Sequence, residues 1–304
     1  MARVLRWIGL ALGGILALAL IVAGVLYAIS GRKLAATHTV AAEPELVIPT
    51  DSASIARGAH LVGAIPCGFC HGADLGGKIF ADAGPFGLLV GPNLTSGQGG
   101  RNPPLSDLEW ERALRHGIRR EGTSLVVMPS VVFHSVSDED MASMIAYLKR
   151  LPPVDREMPP TTIRVLGRMF VGAGQFKLAV DRMPASAHVA SVDTTPTPAY
   201  GRYLATITGC NQCHGPAFSG GPGEDPDGVP ISNITPTGIG HYTEEDFVRA
   251  MRTGIRPGGG AALSDEMPWQ LIGTMTDSEL RAVWLFLQTL PPRQFGEGPA
   301  ASSP

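Results

Sequence analysis

The feature that most constrains this chain is the pentapeptide pattern Cys-X-X-Cys-His, which occurs at residues 67–71 (CGFCH) and again at residues 210–214 (CNQCH). These two copies contain all 4 cysteines of the 304-residue chain. Two cysteines at this spacing can form thioethers to the two vinyl groups of one porphyrin, and the next histidine then lies beneath the iron. The pattern therefore predicts two covalent c-type haems (heme c). The predicted attachment residues are Cys67, Cys70, Cys210 and Cys213, and the predicted proximal iron ligands are His71 and His214.

Three other uses of these cysteines compete with haem attachment. A structural zinc site would pool both pairs into a cage of four thiolates, but it would leave the two histidines without a role. A thioredoxin-like redox pair is usually embedded in a βαβ pattern, which neither neighbourhood shows. Structural disulfides would not require a histidine after each pair. Haem attachment accounts for both cysteines and the histidine of each motif.

The N-terminal segment is apolar enough to cross a bilayer. Residues 7–29 carry no charged side chain, and at 1.5 Å per residue they form roughly 34 Å of helix, against about 30 Å of bilayer core. Signal peptides usually have a shorter apolar run, so we expect an uncleaved anchor rather than a cleaved leader. Because c-type haems are attached outside the cytoplasm, the anchor is expected in the inner (cytoplasmic) membrane, with everything after Arg32 in the periplasm.

The region after the anchor is an internal duplication. Gly58 lies nine residues before Cys67, and Gly201 lies nine before Cys210. Leu-Pro-Pro begins 23 residues after Met128 and again 23 residues after Met267. The chain accordingly divides into an N-terminal transmembrane anchor (1–33), an extended linker (34–50), a first domain (51–153), an inter-domain strap (154–195) and a second domain (196–304).

Each copy reads as three helices joined by loops rich in Gly and Pro. A first helix leads into each haem motif, around 54–62 and 198–207. A middle helix is capped by Ser106 or Thr243, and a last helix starts at Ser137 or Thr276. The segments 84–100 and 219–240 read as loops, and no run of alternating residues predicts a strand. The fold class is therefore predicted to be all-α.

With the motifs and the repeat in place, each copy resembles a class I cytochrome c domain, and the chain is predicted to hold two in tandem. The Asn-Leu-Thr and Met-Pro segments resemble the cytochrome subunits of membrane-bound alcohol and gluconate dehydrogenases, which usually carry three such domains. The resemblance implies that Asn93 and Asn233 line the haem pockets. It also implies that Arg119 and Arg256 are candidates to pair with haem propionates.

The sixth iron ligand is expected to be a methionine in each copy. Met128 and Met267 are each followed by proline and lie 35 and 34 residues after Asn93 and Asn233. The alternative is that both are core residues, since methionine commonly fills gaps. Met183 also precedes a proline, but it lies in the strap and belongs to neither copy. The remaining histidines, including His60, have no counterparts in the other copy and are expected at the surface or in hydrogen bonds.

The function predicted from these features is electron transfer without catalysis. If both irons carry His and Met ligands, neither offers an open position for substrate. The donor is expected to be a dehydrogenase or a quinol-oxidising complex, and the acceptor a terminal oxidase or a soluble cytochrome. A net charge of −3 gives no reason to expect nucleic-acid binding. The alternative is a dihaem enzyme such as a cytochrome c peroxidase or a thiosulfate dehydrogenase, which would need an open or unusual distal site at one haem.

The strap allows two interpretations. Within it, residues 163–180 mix apolar and basic side chains, which is typical of an amphipathic segment on a membrane surface. The simpler expectation, which we prefer from the sequence, is a strap packed against the haem domains.

Overall fold

The computed structural model describes residues 1–40, 45–101, 103–184, 188–223 and 229–298. The predicted linker, first domain, strap and second domain each include some residues outside these ranges. The α-helices are α1 (Ala2–Ala35), α2 (Ser52–Ala64), α3 (Cys67–His71), α4 (Asp107–His116), α5 (Ser130–Phe133), α6 (Asp138–Leu148), α7 (Val165–Gly172), α8 (Pro198–Ile207), α9 (Cys210–Cys213), α10 (Pro236–Ile239), α11 (Glu244–Thr253), α12 (Trp269–Ile272) and α13 (Asp277–Gln288). The strands are β1 (Lys78–Asp82), β2 (Gly87–Gly91) and β3 (Thr162–Ile163).

Helix α1 has the length and composition of a membrane span. Its most apolar 18-residue window has a mean hydropathy of 2.6, and none of that window is buried within the protein. Exposed side chains run along it from Val4 to Tyr27, and Arg32 and Lys33 follow in its last turn. A helix that is apolar all round and leaves those side chains uncovered suits a hydrocarbon environment.

The helix starts predicted from the sequence are confirmed. Ser106 caps α4 and Thr243 caps α11, each through a capping box with an acid at the third helical position. Both helices end at a glycine in the left-handed region, Gly117 with φ of 68° and Gly254 with φ of 71°. The last helices, α6 and α13, are capped by Ser137 and Thr276. Local sequence therefore determines both where these helices begin and where they end.

The first and last helices of each copy cross at a glycine. A Cβ atom on Gly58 of α2 would lie 1.9 Å from the Ser143 carbonyl oxygen of α6. A Cβ atom on Gly201 of α8 would lie 1.8 Å from the Ala282 carbonyl oxygen of α13. Only glycine permits backbones to approach so closely. Both crossings lie among fully buried side chains, including Leu61, Met144, Ile145, Leu204, Leu280 and Phe286.

The structure contains a small antiparallel sheet that the sequence-based prediction lacks, so the fold is mostly helical and not all-α. Its strand order is β1-β2-β3, and β2 occupies part of the predicted loop 84–100. Gly87 faces Ile163 across the β2–β3 pair, and a Cβ atom there would lie 2.6 Å from the Thr162 carbonyl oxygen. β2 is five residues long and bounded by glycines, and its partner β3 is distant in sequence. Neither strand has enough period-2 pattern to be predicted on its own.

The contacts divide the chain into two compact units. The first comprises Met1–Pro44, Cys70–Val131 and Pro152–Pro184, and it contains α1, the sheet, α4 and α7. The second comprises Glu45–Phe69, Val132–Leu151 and Ala185–Pro304. It contains the crossed helix pairs of both copies. The division falls inside α3, within the first Cys-X-X-Cys-His motif.

A polar cluster joins the two crossed helix pairs inside the second unit. Arg57 of α2 donates from Nε and Nη2 to the Asp140 carboxylate at 2.9 and 3.1 Å, and from Nη1 to Glu279 at 2.8 Å. His60 Nε2 lies 2.6 Å from Glu279 Oε2. Tyr203 of α8 donates to Asp140 at 2.7 Å. The cluster therefore ties residues of the first copy to residues of the second copy through buried carboxylates.

Candidate haem-binding sites

The first candidate site is built around His71, the last residue of α3. Its side chain is buried, and Nδ1 lies 2.9 Å from the Pro92 carbonyl oxygen. A carbonyl can only accept, so Nδ1 carries the proton and Nε2 keeps its lone pair. This is the tautomer that a histidine needs in order to bind a metal through Nε2.

The second site repeats this arrangement. His214 is also buried, and its Nδ1 lies 2.7 Å from the Ser232 carbonyl oxygen. Pro92 and Ser232 are equivalent positions, because each immediately precedes the asparagine of an Asn-Leu-Thr or Asn-Ile-Thr segment. Each motif histidine therefore has its ring fixed by one backbone carbonyl from the same place in its own copy.

Burial favours the neutral form of both imidazoles. Burial lowers the pKa of His71, more than the Pro92 carbonyl raises it, and the nearby Arg101 guanidinium lowers it further. Burial also lowers the pKa of His214, against the smaller opposing effect of the Ser232 carbonyl. A neutral imidazole is the form that binds iron.

The asparagines next to these carbonyls are loop clamps. Asn93 Nδ2 donates to the Val154 carbonyl at 2.7 Å, and Asn93 Oδ1 accepts from the Thr95 backbone and hydroxyl at 2.9 and 2.8 Å. Asn233 makes the same bonds, with its Nδ2 donating to the Arg293 carbonyl at 2.7 Å. Their side-chain amides fasten the carbonyl-bearing loop to the segment after the last helix. The pocket-lining position implied by the resemblance stays a prediction.

The chain directly after each histidine follows the same unusual path in both copies. Gly72 and Gly215 have positive φ of 81° and 76°. Five residues after each second cysteine, Leu75 and Phe218 also have positive φ, 54° and 59°, although neither is glycine. Such backbone persists only where its surroundings enforce it. A matched pair of strained residues beside matched motifs indicates a constraint shared by the two sites.

None of the four cysteines forms a disulfide. Cys67, Cys70 and Cys210 are half-buried, and Cys213 is exposed. Burial raises the pKa of Cys70 and of Cys210, which favours the neutral thiol over the metal-binding thiolate. Among the described residues, no three His, Cys, Asp or Glu side chains are grouped so as to hold a metal ion, as a zinc cage would require.

The two candidate methionines occupy matching turns. Met128 and Met267 are half-buried, and their carbonyl oxygens accept from the Ser130 and Trp269 amides at 2.8 and 2.7 Å. Each turn leads directly into a one-turn helix, α5 or α12. Met183, in contrast, follows a 3₁₀ turn in the strap. The two Met-Pro pairs of the copies therefore share a local structure that Met183 lacks.

Two buried donor atoms fit the acidic edge of a haem. Arg101 Nε and Trp269 Nε1 are both buried and make no hydrogen bond to the residues that the structure describes. Arg101 lies near His71, and Trp269 follows the Met267-Pro268 pair. Propionate groups of a porphyrin would supply the missing acceptors. Together with the paired cysteines and the buried imidazoles, the donor set present in the chain fits a covalently bound haem in each copy.

The arginines suggested by the resemblance occupy different surroundings. Arg256 Nη2 donates to Ser232 Oγ at 3.3 Å, beside the carbonyl that holds His214. Arg119 lines a cavity of about 320 Å³ together with Gly31 of α1 and Arg168 of α7.

Arg101 was missed from the sequence, because an isolated arginine in a glycine-rich loop carries no pattern that marks it as lying near a motif histidine.

Comparisons with known proteins find similarity to cytochromes and to cytochrome subunits. Residues 53–148 match the family described as cytochrome c oxidase, cbb3-type, subunit III. The chain is 28% identical to the fructose dehydrogenase cytochrome subunit of Gluconobacter japonicus, over 85% of this chain and 57% of that protein. It is 28% identical to the alcohol dehydrogenase (quinone) cytochrome c subunit of Gluconacetobacter polyoxogenes, over 80% of this chain and 57% of that protein. A diheme c-type cytochrome of Cereibacter sphaeroides is also 28% identical, over 84% of this chain and 92% of that protein.

The resemblance read from the motifs is therefore confirmed. The chain is similar both to cytochrome subunits of dehydrogenases and to a dihaem cytochrome. It spans little more than half the length of the fructose and alcohol dehydrogenase subunits, at 57% of each. It spans nearly all of the dihaem relative, at 92%.

Proposed function

We propose that this protein is a membrane-anchored dihaem cytochrome c that relays electrons and catalyses no reaction of its own. The observation that carries the proposal is the duplicated histidine arrangement. His71 and His214 each donate Nδ1–H to a carbonyl at equivalent positions, at 2.9 and 2.7 Å, and each keeps Nε2 for iron. One such site would serve a single carrier, whereas two in one chain suit a relay.

The residues proposed to hold each haem follow the repeat. In the first copy they are Cys67, Cys70, His71 and Met128, and in the second they are Cys210, Cys213, His214 and Met267. A haem held in this way supplies one-electron chemistry. The chain's own part is to fix the imidazole through a carbonyl, present a thioether sulfur, and keep water from the buried histidines. Little rearrangement is then needed when the charge on the site changes.

The partners and location are proposed from the relatives and from α1. Several relatives are cytochrome subunits of fructose, alcohol and gluconate dehydrogenases. A dehydrogenase is therefore the proposed donor, with a quinol-oxidising complex as the other candidate. A terminal oxidase or soluble cytochrome is the proposed acceptor. α1 would hold the protein in the cytoplasmic membrane with both haem domains in the periplasm, where c-type haems are attached.

Haem stoichiometry tests the proposal directly. The full chain, produced with a haem c maturation system, should carry two haems per polypeptide by pyridine haemochrome and by intact mass. The variant in which Cys210 and Cys213 are both serine should carry one haem, and so should the corresponding variant at Cys67 and Cys70. A full chain that carries one haem or none would overturn the dihaem assignment.

The spectrum of the resting protein separates a relay from an enzyme. Two His/Met sites predict low-spin ferric haems and no rapid cyanide binding. A high-spin ferric haem, or one that binds cyanide readily, would instead show an open site of the kind that dihaem enzymes use.

A further inference from the structure

Helix α7, in the strap between the two copies, rests against the C-terminal end of α1. A Cβ atom on Gly172 would lie 2.1 Å from the Leu26 carbonyl oxygen, so the two helices touch through backbone. Arg168 donates to Ser30 Oγ at 3.0 Å and to the Tyr27 hydroxyl at 2.7 Å. Lys33 Nζ donates to the Val171 carbonyl at 3.1 Å. α7 is therefore fixed to the last two turns of α1.

The contact fixes the depth of α7 in any bilayer that α1 crosses. It spans α1 from Leu26 to Lys33, where the uncharged run ends and the basic residues begin. The guanidinium of Arg168 lies 3.9 Å from the centre of the Tyr27 ring, so an interfacial aromatic and a cation meet there. Aromatic and basic side chains of this kind mark the boundary between headgroups and acyl chains. α7 thus lies at that boundary.

The free side of α7 is apolar. Val165, Leu166 and Phe170 are 62%, 39% and 48% exposed. Phe86, in the turn between β1 and β2, is 44% exposed and extends this apolar patch, with its ring 5.5 Å from that of Phe170. In water, the exposure of such an apolar patch on a short helix would be unfavourable. At the boundary of a bilayer the same side chains have a matching environment.

Cationic groups lie next to this patch. A cavity of about 320 Å³ beside the end of α1 is lined by Arg119 and Arg168. Arg164, which immediately precedes α7, forms an exposed ion pair with Asp82 at 2.8 Å. Guanidinium groups suit the phosphate of a phospholipid, whose acyl chains would lie against the apolar patch.

We propose that α7 and Phe86 form a second membrane contact, lying in the bilayer interface with Val165, Leu166 and Phe170 toward the acyl chains. The occupant of this surface is phospholipid, and the inference rests on the proposed membrane span of α1. The contact would hold the first unit at the membrane surface instead of leaving it tethered by α1 alone. The sequence favoured a strap packed on the haem domains. Residues on either side of α7 do pack that way within the first unit, as Thr161 does against Val90, whereas α7 itself turns its apolar side outward.

Photo-crosslinking in nanodiscs tests the contact. The haem-loaded full chain carries p-benzoylphenylalanine at Leu166 or Phe170, is reconstituted with phosphatidylethanolamine and phosphatidylglycerol, and is irradiated. We expect phospholipid adducts on the peptide containing α7 from both positions. Phe295, which is 56% exposed in the second unit, is the matched control and should give at least tenfold fewer adducts. Equal yields at Phe295 and at both α7 positions would overturn the proposal.

A probe at Ile15 within α1 distinguishes failure of the α7 contact from failure of the proposed membrane span of α1. Lipid adducts at Ile15 but none at Leu166 or Phe170 would overturn the α7 contact and leave the anchor intact. If Ile15 also gives none, the assignment of α1 as a membrane anchor is wrong, and the α7 contact is then wrong as well.

A second measurement uses Phe170→Asn, which should leave haem content unchanged but at least double the rate of amide hydrogen exchange in α7 in nanodiscs. Unchanged exchange in that variant would contradict the proposal.

Discussion

At the scale of single residues, each candidate site depends on a few groups whose protonation and hydrogen bonds are set by burial. His71 and His214 each meet a backbone carbonyl, and Asn93 and Asn233 hold the loops that provide those carbonyls. Arg101 Nε and Trp269 Nε1 have no acceptor among the described residues, and an acidic group bound at each site would supply one. The residue scale is therefore where the chemistry of the sites is decided.

The axial methionines can be tested one at a time. Met267→Ala should remove the weak long-wavelength methionine–iron absorption of one ferric haem and leave that of the other, because each copy supplies its own thioether. Met183→Ala is the control, since Met183 also precedes a proline but lies in the strap. Absorption spectra of the two variants in the ferric state measure this band. Two undiminished bands in Met267→Ala would show that the ligand assignment is wrong.

Asn93→Ala should destabilise the protein. Asn93 is 1% exposed, and its replacement removes the hydrogen bonds that it donates to the Val154 carbonyl and accepts from the Thr95 amide. The expected loss in the free energy of unfolding is about 1–3 kcal/mol. Urea titration measures it, with Ser96→Ala as the control, because Ser96 is exposed in the same loop. Equal midpoints for the two variants would contradict the clamp role.

At the scale of elements, paired helices determine the shape of each copy. α2 crosses α6 and α8 crosses α13, and in both pairs the crossing is at a glycine nine residues before the first motif cysteine. The caps and the left-handed glycines are local, whereas the crossing exists only when two helices distant in sequence meet. A glycine inside a helix otherwise lowers its stability.

The crossing predicts opposite effects for two glycines of α2. Gly58→Ala places a Cβ atom 1.9 Å from the Ser143 carbonyl oxygen, so the helices must separate, at a cost of about 1–3 kcal/mol or more. Gly63→Ala meets no atom within 4 Å and should raise stability by up to about 1 kcal/mol. Thermal unfolding followed by circular dichroism compares the two. A Gly58→Ala protein as stable as Gly63→Ala would refute the close crossing.

At the scale of the whole molecule, the polar cluster of the second unit joins the two copies. Asp140 and Glu279 are equivalent residues, each 12 positions after its Met-Pro methionine. Asp140 accepts from Tyr203 of the second copy, and Glu279 accepts from Arg57 and contacts His60 of the first. Removing one member of such a buried network leaves the others uncompensated.

This cluster should make the stability of the protein depend on acid. Burial raises the pKa of Glu279, but hydrogen bonds from His60 and Thr276, with Arg57 nearby, bring it down to about 2. A carboxylate with a depressed pKa stabilises the fold above its unfolded value of about 4.5, and that stabilisation is lost as the pH falls toward 2. It amounts to about 3 kcal/mol at neutral pH.

Glu279→Gln tests this dependence. The variant should be less stable than the parent at about pH 7, and the gap should close between about pH 4.5 and pH 2, where the parent carboxylate also becomes neutral. Urea titrations across that range measure the gap, and the exposed Glu266→Gln serves as the control. A gap that stays constant with pH would show that the Glu279 charge does not contribute to stability.

Much of this protein can be predicted from local sequence. The haem motifs, the caps at Ser106, Thr243, Ser137 and Thr276, and the apolar run of α1 are all short-range patterns, and the structure places helices where they indicate. Spacing, capping and hydropathy act between residues close in the chain, so they can be read without knowing the fold. The repeat adds the pairing of Met128 with Met267, which remains a prediction about ligands.

Only the tertiary structure decided the features that depend on partners distant in sequence. It added the sheet of β1, β2 and β3, the hydrogen bonds by which Asn93 fastens its loop, and the position of the half-buried Arg101 near His71. It also placed α7 on the end of α1. Burial and backbone approach depend on which surfaces meet, and one-dimensional patterns do not encode that. The two Cys-X-X-Cys-His motifs thus determine the chemistry proposed for the chain, and the long-range contacts determine how its parts are held.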